Sequence, residues 1–285
     1  VSSTVEHWLE QATNRLEAAG VGSATLDAEL ILGHALGRSR AWLKAHSEEV
    51  LEPSKVALAK KSLQRRLDRE PLVHITGTRE FYGLEFEITP DVLTPRAETE
   101  QMADWAIKYA PKNSRLIDVG TGSGAIAVAI AKHRSDLEIT ATDISDRELE
   151  VARRNAGRHG AEINLVVSDL WSGCNFKRKT HGANAFQTVV TNLPYLRDDA
   201  DLMPEVRREP GVALHGGPDG LGLYRRFLAG TQEHLAPGGH LFTESDPWQH
   251  PALIAEAAKY GLRPVEQGYF ILGFEFVKRT VLPGG

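Results

Sequence analysis

Asp118-Val119-Gly120-Thr121-Gly122-Ser123-Gly124 lies between an apolar run, Arg115–Val119, and a helical run, Gly124–His133. A strand that turns through glycines directly into a helix opens a strand–turn–helix unit. Glycines at such a turn let the backbone approach a ligand and let the helix pack close on the sheet. The same letters satisfy Gly-x-Gly-x-x-Ala through Ala125, so a dinucleotide is one ligand class to weigh. The grammar repeats downstream as strand Glu138–Thr142, helix Asp146–His159, and strands Asn164–Ser168 and Thr188–Thr191. Helix Leu221–His234, strand Gly239–Glu244 and helix Pro251–Tyr260 follow. This alternation predicts an α/β fold, a parallel doubly wound sheet with helices on both faces. The tail segments Arg263–Gln267 and Gly273–Leu282 have only a short connection, so they are expected to close the sheet as an antiparallel pair.

Upstream of the sheet the chain reads as helix. Val5, Trp8, Leu9, Ala12, Leu16 and Ala19 share one helical face. Ala28, Ile31, Leu32, Ala35 and Leu36 repeat the pattern after Ser23, a plausible N-cap. Further helices are expected over Ala41–His46 and Ser54–Arg69, with Pro71 ending the helical region. Short amphipathic helices with short connections make a small bundle. Lys55, Lys60, Lys61, Arg65, Arg66 and Arg69 mark a basic face, either a dock for an acidic partner or a solvated surface. Glu80–Ile88 alternates apolar and polar residues around Gly83, which predicts a hairpin. The expected domains are a helical bundle over 1–75, a hairpin linker over 76–100 and the α/β domain over 101–285.

Composition excludes several classes. With 41% apolar and 25% charged residues the chain is globular, and a formal net charge of -5 argues against nonspecific nucleic-acid binding. Its lone cysteine, Cys174, rules out an internal disulfide framework and fits a reducing cytoplasm. The histidines show no ligand spacing, so no metal site is expected. No stretch approaches the ~18 consecutive apolar residues of a membrane span. The N-terminus lacks the basic-then-apolar layout of a secretory signal, and the start at Val1 is expected to reflect processing or trimming. The expectation is a cytoplasmic protein with no membrane association.

The strand ends supply the ligand chemistry. Asp118 beside the glycines repels a pyrophosphate but suits the ammonium of an amino-acid-bearing methyl donor. That favours S-adenosylmethionine over a nicotinamide dinucleotide. Asp143 closes the second strand, where a carboxylate can accept both ribose hydroxyls. Asp169 closes the third, within reach of an adenine amino edge. Gly120, Thr121, Gly122, Gly124, Ile144 and Leu170 complete the expected donor pocket.

Asn192-Leu193-Pro194-Tyr195 follows the fourth strand. An Asn side-chain oxygen and the next backbone carbonyl can each accept one N–H from a planar NH2 group. Pro194 holds the turn rigid, and Tyr195 offers a flat face. With an ordinary pKa of about 10, Tyr195 is expected to pack rather than ionise. Asn192 therefore counts both toward the acceptor clamp and toward the rim of the donor pocket. Trp171 and Trp248 are expected to be packing residues. Arg207, Arg208 and Glu209 are either a cover over the site or surface ion pairs.

Taken together these residues resemble the HemK/PrmC family, the glutamine N(5)-methyltransferases of peptide chain release factors. Glu80–Leu84 is similar to the family's hairpin, and Val92–Glu100 to its Pro-Arg-Pro-Glu-Thr-Glu loop. Asp118–Gly124 is similar to its donor motif. Glu205–Pro210, Ala213–Leu221 and Tyr224-Arg225 are similar to the block that follows its catalytic strand. Leu193 and Ala97 stand where the family usually has proline, and its C-terminal Asp-x-x-Gly-x-x-Arg pattern is not matched between Gly268 and Arg279. The resemblance implies a class I S-adenosylmethionine-dependent methyltransferase domain and a substrate-recognition bundle. It further implies a release factor as protein substrate, no direct nucleic-acid binding and a monomer. Asn192, Leu193, Pro194 and Tyr195 would then be catalytic, with Arg96 joining them in substrate binding. The alternatives are an adenine N(6)-methyltransferase on RNA or DNA, a non-catalytic donor-binding module, and a nicotinamide-dependent oxidoreductase.

Overall fold

The computed structural model describes residues 3–172 and 185–277; Cys174 and the expected closing strand beyond Val277 lie outside them. The chain divides into two compact units, Val1–Thr78 with Leu202–Arg208, and Arg79–Asp201 with Glu209–Gly285. The first unit is built on α1 (Val5–Ala18), α2 (Ala24–Leu36), α3 (Arg40–Ala45) and α4 (Pro53–Leu67). Thr4 caps α1 by accepting from the His7 N–H at 3.3 Å. Ser23 does not cap α2 in this way; its hydroxyl donates to Asp27 at 2.8 Å. Val5, Trp8, Ala12 and Leu16 of α1 close one core with Ala28, Ile31, Leu32, Leu43 and Leu63. Pro71 does not end the helical region. It stands at the N-cap of α5 (Leu72–Thr76), where its fixed φ and missing N–H are tolerated.

The basic face of α4 is largely neutralised within this unit. Arg66 Nε donates to Asp27 at 2.6 Å and Arg66 Nη1 to Glu205 at 2.8 Å, with the Arg66 side chain only 7% exposed. Arg69 donates to the other Glu205 oxygen at 3.0 Å, and Arg65 pairs with Glu70. A charge removed from water needs such partners, so the buried arginines hold the 202–208 segment on the bundle instead of offering a free surface.

The rest of the chain opens with a hairpin, β1 (Thr78–Phe81) and β2 (Leu84–Glu87), then α6 (Glu100–Tyr109). There follow β3 (Arg115–Val119), α7 (Ala125–His133), β4 (Glu138–Asp143), α8 (Asp146–His159) and β5 (Asn164–Val167). Next come β6 (Phe186–Thr191), α9 (Gly222–His234), β7 (Leu235–Glu244) and α10 (His250–Lys259). The last strands are β8 (Leu262–Gln267) and β9 (Ile271–Phe276). Among the described residues the sheet order is β5-β4-β3-β6-β7-β9-β8. β5, β4, β3, β6 and β7 are parallel, and β9 runs antiparallel to both β7 and β8. The chain winds outward from β3 to β5 and returns to β6 on the other side of β3. That reversal leaves a crevice at the carboxyl ends of β3 and β6, where such sheets bind ligands.

Strand alternation sorts the residues by face. Ile117, Val119, Val189, Leu193 and Leu241 pack with Phe227, Leu253 and Ala257 from α9 and α10. On the opposite face Phe242 lies against Trp105 and Tyr109 of α6 at ring-centroid distances of 6.0 and 5.6 Å. Two residues on from Phe242, Glu244 faces the start of the same helix.

Candidate functional site

The glycine turn leaves β3 pinned to β4, for the N–H groups of Gly120 and Thr121 both donate to the Thr142 carbonyl, at 2.8 and 2.9 Å. Gly124 has φ +80°, and a Cβ there would lie 3.0 Å from the Ala152 Cβ of α8. Only glycine allows that backbone and lets α7 start so close to α8. Asn155, fully buried on α8, donates to the Ser123 carbonyl at 2.9 Å and to the Glu87 carbonyl at 3.0 Å, fastening the turn to the hairpin.

Asp118 is fully buried at this turn. Its Oδ2 accepts from the Thr121 hydroxyl at 2.7 Å, while Oδ1 has no hydrogen-bond partner among the described residues. Burial pushes the carboxyl up to about 7 and the neighbouring Asp143 charge adds to the shift; the Thr121 hydroxyl and the Ala127 N–H pull against it. A buried carboxylate with a spare oxygen is a socket for a cation, because an ammonium there would restore the charged form. The arrangement fits the amino-acid end of S-adenosylmethionine.

Asp143 ends β4 as expected. Its Oδ2 accepts from the Gly122 N–H at 2.9 Å and its Oδ1 from the Ser145 N–H at 3.2 Å. Glu148, in the first turn of α8, is hydrogen-bonded to it. Burial and the Asp143 charge push Glu148 up to about 8, so Glu148 holds the proton of the pair. Asp143 is left as the acceptor, taking the Gly122, Ser145 and Ile144 N–H groups as well as Glu148. Ile144, beside it, is 63% exposed, an apolar side chain on the rim. Leu170 adopts φ +54°, an uncommon backbone for a branched residue, and its carbonyl accepts from Ser168 at 2.7 Å. Asp169 carries a partner the sequence did not announce: its Oδ2 is paired with Arg226 of α9 at 2.7 Å.

The tetrapeptide expected to clamp the acceptor follows β6. Val119 stands in register with Thr191, which places Asn192 across from the glycine turn. The Leu193 side chain is buried, with its Cδ2 3.4 Å from where a Gly120 Cβ would be. What Leu193 can offer a ligand is its backbone carbonyl, which lies 3.5 Å from the Tyr224 hydroxyl. Tyr195 packs and does not ionise, as expected. Its hydroxyl donates to Glu244 at 3.0 Å, its ring packs against the core, and burial and the Glu244 charge push its pKa well above the ordinary range.

The block after the tetrapeptide braces it from behind. Leu196 N–H donates to the Leu214 carbonyl at 2.9 Å, and Gly216 N–H returns the bond to the Leu196 carbonyl at 2.8 Å. A Cβ on Gly216 would collide with the Pro194 carbonyl, and one on Gly220, at φ +74°, with that of Tyr195. Gln249 Nε2 holds the Tyr195 carbonyl at 2.9 Å and the Asp219 carbonyl at 3.1 Å.

Other expected residues have partners of their own. Arg96 donates to both oxygens of buried Glu209 at 3.0 Å. Arg207 and Arg208 donate to the Leu202 and Asp68 carbonyls at 2.9 and 2.6 Å. Trp171 packs, stacked on Phe227 at 5.0 Å, whereas Trp248 is 57% exposed and does not. Sequence reasoning missed Thr99, Glu148, Asn155, Glu244 and Gln249. The capping pattern Ser145-x-x-Glu148 was a signal for Glu148, and the acid ending an apolar strand was one for Glu244. Thr99, Asn155 and Gln249 carry no local signal.

Residues 7–77 match the PrmC N-terminal domain family, and residues 105–208 the methyltransferase small domain. The chain is 38% identical over 261 residues to a release factor glutamine methyltransferase of Geobacter sulfurreducens, covering 90% of this chain and 89% of that protein. It is 38% identical to the protein of the same name from Deinococcus radiodurans, covering 89% and 90%. Among solved structures, the 16S rRNA N2 G1207 methyltransferase of T. Thermophilus, in complex with AdoMet and guanosine, shares the fold. It has a TM-score of 0.50 and 16% identity, over 70% of this chain and 50% of that one.

Proposed function

The chain belongs to the release factor glutamine methyltransferase family, and from that membership we propose that it methylates the side-chain amide nitrogen of the glutamine in the Gly-Gly-Gln motif of peptide chain release factors. S-adenosylmethionine, when bound, supplies the electrophilic methyl group. Asp118 would hold its ammonium, Asp143 its ribose hydroxyls, and Ile144 and Leu170 the flanks of its adenine. The observation that carries this reading is the β3–β6 register, which sets Asn192 beside the glycine turn and the spare Asp118 oxygen.

The chain's own work is to orient a poor nucleophile, since an amide lone pair is delocalised into its carbonyl. Asn192 Oδ1 and the Leu193 carbonyl each accept one N–H of the glutamine amide, and both bonds strengthen as positive charge builds on that nitrogen. Holding the acceptor at attack distance contributes up to ~7–11 kcal/mol in well-aligned cases. Pro194 and the glycine block keep the clamp from relaxing, so leucine at 193 retains the carbonyl and only the local rigidity differs from proline. Tyr195 packs and orients without ionising.

The proposal includes a cytoplasmic monomer acting on protein and not on nucleic acid; no helix among the described residues is long and apolar enough to cross a membrane. Incubation with labelled S-adenosylmethionine and, separately, release factor, ribosomal protein and RNA should place label on the release factor glutamine, located by mass. Label on RNA alone would replace this reading with the adenine one, and no label on any acceptor would favour a non-catalytic module.

A further inference from the structure

Glu244 is 2% exposed, and its carboxylate collects hydrogen bonds from two directions. Thr99, at the start of α6, donates to Oε2 at 2.6 Å, and the Tyr195 hydroxyl donates to Oε1 at 3.0 Å. The Asn192 side chain lies near this carboxyl and favours its charged form. The Tyr224 hydroxyl holds the Glu244 backbone carbonyl from the α9 side. Thr191 and Thr243 are in parallel register, so one residue further on Asn192 and Glu244 are neighbours on the rim. Among the described residues no lysine or arginine forms an ion pair with it. The charged or titratable groups around it are Glu98 from the loop before α6, Tyr195, Tyr224 and, beside Tyr195, Asp246. A buried carboxylate without a cation is costly, and the Thr99 and Tyr195 hydroxyls offset part of that cost.

We propose that Glu244 is a positioning residue that fixes which edge of the Asn192 amide faces the acceptor. An ionised carboxylate only accepts, so the Asn192 NH2 must turn toward it and Oδ1 must turn to the rim, where the glutamine N–H needs an acceptor. A protonated Glu244 could donate to Oδ1 instead. Asn192 would then flip and set its own NH2 against the NH2 of the substrate, two donors facing one another. Burial raises the Glu244 carboxyl above its ordinary range, and the Thr99, Tyr195 and Asn192 side chains pull it back toward the charged form. The clamp therefore works only above that titration. This assignment rests on the proposed glutamine clamp.

The test is Glu244→Gln, a near-isostere that can both donate and accept and so leaves Asn192 without a fixed sense. Single-turnover methylation at saturating methyl donor and release factor should fall roughly 100-fold, the scale of losing one oriented group at a reaction centre. KM for the release factor should stay within about threefold. The acid limb of the wild-type rate should be absent from the variant. A variant within threefold of wild type, or a slow variant that keeps the same acid limb, overturns the proposal. Should Glu244→Gln not fold, Thr99→Val removes one bond to the carboxylate, and the acid limb must then move to higher pH; an unmoved limb overturns the proposal equally. The side-chain amide NMR signal of Asn192 in the wild type should follow the same titration without any acceptor present. That signal separates the two ideas. Its absence counts against Glu244, whereas wild-type failure to methylate release factor with the signal intact counts against the glutamine reading alone.

Discussion

Replacing Asp118 with asparagine should change how stability depends on pH in a way few other substitutions can. The carboxyl moves from 3.8 in the unfolded chain to about 7 in the fold, chiefly because it is buried. Between those values the native state holds a proton that the unfolded chain has released, so lowering the pH stabilises the fold. The contribution is fully present below pH 3.8 and is lost as pH rises through about 7. Three units at 1.36 kcal/mol each make about 4 kcal/mol in all, of which about 3 kcal/mol falls between pH 5 and 8. The amide of the variant cannot titrate. Urea unfolding of both proteins at several pH values therefore reads the site together with its coupling to Asp143, whose charge adds to the Asp118 shift. The wild-type-minus-variant stability should fall by about 3 kcal/mol from pH 5 to 8. Two parallel curves, within about 0.5 kcal/mol, would refute the buried-charge argument. Calorimetric binding supplies the second half. Affinity for S-adenosylmethionine should rise roughly tenfold per pH unit up to 7, then fall as the ligand's own ammonium titrates near 8. The variant should bind weakly and lack the rising limb.

Three further outcomes follow from the geometry. Asn192→Ala should lower kcat by roughly 100- to 1000-fold while methyl-donor affinity stays within a few-fold; near-normal turnover in a methylation assay would remove Asn192 from the clamp. Gly220→Ala forces a side chain at φ +74° into the Tyr195 carbonyl, so a loss of about 1–3 kcal/mol in thermal or urea unfolding is expected, with a larger fall in kcat than in methyl-donor affinity. An unchanged kcat there would mean that the glycine block does not brace the tetrapeptide. Arg66→Ala leaves buried Asp27 without its cation, while Glu205 keeps Arg69, and should cost the bundle about 3–5 kcal/mol, read as early protease cleavage of the N-terminal unit; a cost under about 1 kcal/mol would show Asp27 to be solvated.

The α/β architecture was legible because its signals are local. The glycine turn, the strand–helix alternation and the short final connection each depend on residues adjacent in the chain, and β9 pairs antiparallel with β8 as the short connection required. The positions of Asp118, Asp143 and Asn192 were legible for the same reason, as strand ends of a parallel sheet share one rim. Misreadings came where a side chain's partner was distant. Arg226 beside Asp169 and Glu209 beside Arg96 were not foreseen, because each comes from far along the chain. The arginines of α4 read as an open basic face because nothing in their neighbourhood announces Glu205, supplied from far along the chain. Trp248, apolar by type, was expected to pack and is exposed.

By itself the amino-acid sequence determined the order of the sheet's strands and helices, the glycine turn after β3 and the tetrapeptide after β6, because periodicity and turn chemistry act over a few residues. Only the tertiary structure decided the electrostatics. Burial raised Asp118 and Glu148, the β6–β7 register brought Glu244 beside Asn192, and the start of α6 delivered Thr99 to the same carboxylate. Those effects depend on dielectric environment and on contacts between residues far apart in the chain, and neither exists until the sheet and its helices have closed.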